Sequence, residues 1–77
     1  QVIKGISYSS TNKQLLLEIS KNPMFSNLDV KSEDVVLESN STNPKLMDIL
    51  SKIPNSQFSP ILPFPKEYKM FFISEKS

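Results

Sequence analysis

Ser10 and Lys13 stand in the Ser-x-x-Lys spacing, in which a lysine could serve as base for a serine nucleophile. They lie in the polar stretch Ser9-Ser10-Thr11-Asn12-Lys13, with no glycine beside them to open an oxyanion site, so solvation accounts for both. The chain has no histidine and no cysteine. That removes thiolate chemistry, the usual zinc ligands and the one side chain that titrates near neutrality. Glu18 and Glu38 could face each other as a carboxylate pair, but surface pairing across strands is the ordinary state of such residues. Ser32-Glu33-Asp34 could be offered to a metal, yet two adjacent carboxylates without a third oxygen ligand at a fixed offset read as a solvated turn. Gly5 is the only glycine, so no glycine-rich loop can cradle a phosphate. Asn40-Ser41-Thr42 fits a glycosylation sequon and reads as a coincidence of composition. The sequence therefore predicts no catalysis, no metal and no cofactor, and leaves recognition through a surface.

What must position such a surface is one small domain of 77 residues. A chain of this length is stable by roughly 4 to 11 kcal/mol, too little to hold a strained constellation easily. Nine lysines oppose eight carboxylates, none of the basic residues is arginine, and the lysines are spread along the chain. This is a solvated surface and not a nucleic-acid face. No apolar run approaches the ~20 residues of a membrane span. The missing cysteines predict a reducing setting, cytoplasm or nucleus. Because residue 1 is Gln, residues 1–77 read as a single domain cut from a longer protein.

Alanine is absent, while isoleucine, valine, phenylalanine and tyrosine are frequent, which favours strands over helices. Residues 2–8 read as a strand with Gly5 as a place to bend, and residues 9–13 as a hairpin turn. Residues 14–19 read as a second strand, with Leu15, Leu17 and Ile19 on one side. Asn22-Pro23 ends it, and Met24 and Phe25 are expected to plug one end of the core. Leu28 and Val30, then Val35 and Leu37, read as a hairpin around Ser32-Glu33-Asp34. For residues 44–53 the local pattern is helical: Asn43 can cap, Pro44 can take the first position, and Leu46, Ile49, Leu50 and Ile53 recur at helical spacing. Four prolines between residues 54 and 65 allow only an edge strand or extended coil. Residues 68–73 form a strand apolar on both faces, either central or an edge awaiting a partner. The fold expected is all-β, a compact antiparallel β-sandwich of about six or seven short strands.

Phe58, Ile61, Phe64, Tyr68 and Phe71, with Lys66 among them, give the proline-rich third more aromatic surface than a small core needs. Aromatic anchors beside an uncovered strand edge suit capture of an extended peptide, and these six are the candidate partner-binding residues. Leu15-Leu16-Leu17-Glu18-Ile19, the run from Asn27 to Glu38, and Leu62-Pro63-Phe64-Pro65 ahead of a closing apolar strand resemble the CS domain. That is the sandwich of crystallin-type chaperones and co-chaperones. More narrowly, the chain is similar to the C-terminal domain of the PIH family, and most of all to its fungal members. The resemblance implies a scaffold that binds the C-terminal tail of a TPR adaptor. Through that adaptor it would reach the ninety-kilodalton heat-shock chaperone, alongside the Rvb ATPases, in box C/D snoRNP assembly and rRNA processing. It also implies strand where residues 44–53 look helical, and strand or irregular structure is the expectation there. A second class of function is a small nucleic-acid-binding β domain, stacking bases on Phe64, Tyr68 and Phe71 with Lys66 and Lys69 on phosphates.

Overall fold

A computed structural model of the chain describes residues 1–22, 24 and 28–77. In chain order its elements are β1 (Val2–Ser10), α1 (Lys13–Lys21), β2 (Lys31–Glu38), α2 (Pro44–Ser51), β3 (Gln57–Phe58), β4 (Leu62–Pro63) and β5 (Tyr68–Lys76). Among the described residues all strand pairings are antiparallel, in one sheet of order β2-β1-β5-β3 with β4 also on β5. The domain is thus mostly β and antiparallel, as expected. It is an open sheet with two helices, however, and not a two-sheet sandwich.

Residues 14–19 are the first correction, because they lie within α1. The Leu15-Leu16-Leu17 run satisfies a period of 2 and a period of 3.6 equally well, and the local cap breaks the tie. Asn12 is the N-cap, its side-chain oxygen accepting from the Gln14 N–H at 2.9 Å, where a hairpin tip was expected. Leu16 and Ile19, three apart on one helical face, are the buried pair. Residues 44–53 are the second correction: α2 forms as local pattern had it. The Asn43 side chain accepts from the Lys45 N–H at 2.8 Å, and Pro44 occupies the first turn.

The third correction concerns the supposed hairpin of residues 28–37. β2 runs unbroken through Ser32-Glu33-Asp34, since an exposed edge strand can keep carboxylates in water without turning. The expected plug fails at Met24, which is 89% exposed. Pro23 and Phe25 lie outside the described residues.

Met70 and Phe71 are neighbours in β5 and therefore point to opposite faces of the sheet. Met70 is buried with Leu16 and Ile19 of α1, against Tyr8, Val30, Phe58, Ile61 and Tyr68. Phe71 is buried with Ile3, Ile73, Met47, Leu50 and Ile53, against Val35, Leu37, Leu46 and Leu62. One helix thus covers part of each face, and β5, apolar on both sides, is the central strand.

Between Lys4 and Gly5 the register of β1 on β5 shifts: Gly5 opposes Ile73, but Lys4 opposes Glu75. The bulge at Ser74 reverses the side-chain parity beyond it, so Lys76 emerges on the α2 face. There its Nζ donates to the carbonyls of Ser51 (2.9 Å) and Ile53, groups at the end of α2 that have no further turn to bond them. A cation at a helix C-terminus is favoured by the dipole as well. Replacing Lys76 by Met keeps the stem and removes the donor, and should lower stability in urea unfolding by about 1–2 kcal/mol. No change would mean that water serves those carbonyls equally well.

The far side of β5 is closed by the short strands β3 and β4. Between them Ser59 spans the gap: its N–H donates to the Phe71 carbonyl at 2.7 Å, and its Oγ accepts from the Phe71 N–H at 2.9 Å. Pro60, which has no N–H, follows at once. This edge is blunted, as the prolines predicted.

Candidate functional site

β4 and β5 are joined by a tight turn, closed by the Phe64 N–H on the Glu67 carbonyl at 2.9 Å, with Pro65 and Lys66 at its centre. Phe64 is held at the start of this turn and is 39% exposed. One flank of the ring carries the Lys69 ammonium, 5.1 Å from the centroid. Lys69 also lies 3.9 Å from Glu67, a half-exposed pair. On the other side, Phe64, Leu62 and Pro63 face Leu46 and Ile49 of α2 across a groove of about 270 Å3, with Lys45 at its rim. Ile49 is 36% exposed, because α2 turns Met47 and Leu50 to the sheet and leaves Ile49 at the margin. An apolar trough of this size fits one aliphatic or aromatic side chain.

The six residues expected to bind a partner divide. Phe64 and Lys66 are exposed at the turn. Phe71 is buried among the α2 contacts. Tyr68 and Ile61 pack half-buried against α1. Phe58 sits between the rings of Tyr8 and Phe72, with centroids 6.0 and 4.9 Å away. Phe64, Tyr68 and Phe71 therefore form no common stacking platform, and the nucleic-acid reading has no surface to rest on. Leu46 and Ile49 were missed, since they belong to the segment expected as strand or irregular structure. The Asn43-Pro44 cap was the signal for them.

A second depression, of about 510 Å3, crosses β2, β1 and β5 beyond α2, with Ser7 and Ser9 as floor and Lys31, Glu33, Glu67 and Lys69 as walls. Among the described residues no group of three carboxylates, histidines or cysteines is placed to hold a metal ion. Ser10 Oγ accepts from the Asn12 N–H at 3.0 Å and serves the α1 cap, while Lys13 is exposed. Glu18 bonds Gln14 along its own helix at 3.4 Å. No described helix is long and apolar enough to cross a membrane.

The profile of the Cj1289-like C-terminal domain matches residues 1–76. The chain belongs to this family. Among solved structures it is similar to a chain from the study of PEB4 and Cj1289 of Campylobacter jejuni. Those two proteins are described as structurally related SurA-like chaperones, PEB4 a virulence factor and Cj1289 periplasmic. The likeness has a TM-score of 0.82 at 27% identity, over 96% of this chain and 28% of that one. This chain thus corresponds to about a quarter of the length of its solved relative. No curated protein matches it.

These findings overturn the CS and PIH resemblance. The patterns behind it, short apolar runs, occur here on a helix, an edge strand and a two-residue strand. With it go the TPR adaptor tail, the ninety-kilodalton chaperone, the Rvb ATPases and the snoRNP setting as partners. The cytoplasmic and nuclear setting is overturned too, because the solved relatives include a periplasmic protein. Absent cysteines exclude a disulfide but select no compartment, as two helices on one sheet supply a core without bridges. The expectation of a non-enzyme stands, in keeping with relatives that are described as chaperones.

Proposed function

We propose that this chain is a domain of a SurA-like periplasmic chaperone, and that the groove between α2 and the β4–β5 turn holds apolar side chains of non-native polypeptides. Residues 1–77 would be one folding unit of a longer protein. The observation that carries the reading is the pair Ile49 and Phe64, open to solvent on either side of an apolar groove, in a fold shared with SurA-like chaperones. Covering one client side chain there contributes roughly 2 kcal/mol, before the entropy of ordering the client is subtracted. Such a contact is weak and tolerant of sequence, which suits repeated capture and release. Phe64 touches the client in this reading, with Lys45 at the rim of the groove and Lys66 exposed on the turn beyond Phe64. Phe58, Ile61, Tyr68 and Phe71 hold the sheet that presents them.

Light scattering from a chemically unfolded client diluted into buffer tests this. The chain at excess should slow aggregation, and the double variant Ile49→Ser/Phe64→Ser should lose at least about half of that effect at an unchanged thermal midpoint, each side being partly exposed already. If the folded double variant protects as well as the parent, the groove is not the site.

A further inference from the structure

The two edges of the sheet differ. On the β5 side, short strands and prolines leave little backbone free. β2, at the other end, is eight residues long, and among the described residues nothing pairs with its outer side. Its register on β1 shows which groups are open. The Ser39 N–H donates to the Gln1 carbonyl at 3.0 Å, so Gln1 and Ser39 form a directly bonded pair. Continuing that alternation along Ile3↔Leu37, Gly5↔Val35, Ser7↔Glu33 and Ser9↔Lys31, the odd-numbered residues of β2 bond to β1. Ser32, Asp34 and Val36 turn both N–H and C=O outward. Glu38 does so too, but its carbonyl accepts from the Ser41 N–H, which caps that end.

Side chains along this edge set the partner's chemistry. Three carboxylates, Glu33, Asp34 and Glu38, stand against one ammonium, Lys31, and all four residues are exposed. Val36 beside them is 61% exposed. A second copy of β2 would bring the acids of both strands close together, which disfavours self-pairing.

We infer that β2 takes up an extended segment of the client as a further antiparallel strand, one with lysine or arginine opposite Glu33 and Asp34 and aliphatic residues opposite Val35, Val36 and Leu37. This rests on the chaperone reading and adds to it the kind of segment bound. Main-chain bonds would hold any sequence, while the acidic stretch would select basic ones.

The probe is the capped peptide Thr-Val-Val-Val-Lys-Lys-Thr, whose valines fall opposite Leu37, Val36 and Val35 and whose lysines fall opposite Asp34 and Glu33 when it runs antiparallel to β2, with a control in which glutamate replaces lysine. By NMR, amide exchange should slow at Ser32, Asp34 and Val36 when the basic peptide is added, while Glu33 and Val35, already in the ladder, stay as they were. The basic peptide should bind about tenfold more tightly than the acidic one. Glu33→Lys/Asp34→Lys, a change at exposed positions, should reverse that preference. Val36→Pro, which removes an outward donor and no ladder bond, should abolish binding of both. Equal affinity for the two peptides, or protection at α2 in place of β2, overturns the inference. So does slowing of the β2 amides with protein concentration alone, which would make the edge a contact between copies. Loss of aggregation suppression with β2 pairing intact would remove the chaperone reading instead. Suppression with no response at β2 would remove only the edge.

Discussion

Gly5→Ala should cost about 3 kcal/mol or more and leave a substantial unfolded population in a domain this small. A methyl group at residue 5 would lie 2.0 Å from the Phe72 carbonyl oxygen and 3.1 Å from its carbon, both backbone atoms of the central strand. No side-chain rotation relieves that contact; β1 and β5 must separate or the bulge must move. Either response disturbs both faces, because Tyr8 and Ile3 of β1 pack in different clusters and Met70 and Phe71 of β5 do likewise. A shift of the bulge would also return Lys76 to the other face and strip α2 of its terminal donor. Urea unfolding followed by circular dichroism measures the loss, with Ser9→Ala as a nearby control expected to change little. A Gly5→Ala domain within 1 kcal/mol of the parent would show that the strands can yield at the bulge cheaply.

The same contact explains part of what could be read in the sequence. A glycine inside an apolar strand pattern signals a bend or a close approach of backbone; what stands at Gly5 is the close approach, with the extra residue on β5 opposite it. β1 and β5 were legible because few side-chain patterns other than a strand suit their composition, and β5 was recognisably apolar on both faces. The blunt edge was legible from the prolines. What failed was the choice between periods. Leu15-Leu16-Leu17 gives no preference between strand and helix, and the deciding contribution, the Asn12 cap, sits in a stretch that resembles a turn. In β2 the Ser32-Glu33-Asp34 stretch was mistaken for a reversal, since charge reports exposure and not direction. With α1 read as a strand and residues 44–53 as strand or irregular structure, the site lost Leu46 and Ile49, and the aromatic residues near it had no helix to be sorted against.

That sorting separates Phe71 from Phe64, two residues indistinguishable by composition and neighbourhood. Phe71→Ala should destabilise the domain by about 3–5 kcal/mol, the range for a buried phenylalanine whose space cannot close. Phe71 is 6% exposed and packs with Met47 and Leu50 of α2 and Ile53 just beyond it, so truncation detaches that helix from the sheet as well as opening a void. Phe64→Ala should cost less than about 1 kcal/mol, the loss of an exposed ring and of one cation–π contact with Lys69. Function should reverse that order. At a temperature where both variants remain folded, Phe64→Ala should weaken suppression of client aggregation, while Phe71→Ala should retain it in proportion to its folded fraction. The difference follows from parity along β5: Phe71 points under α2, whereas Phe64, in the turn before the strand, points past it. Equal losses of stability in the two variants would mean that α2 does not cover Phe71, and the groove built on that helix would go with it.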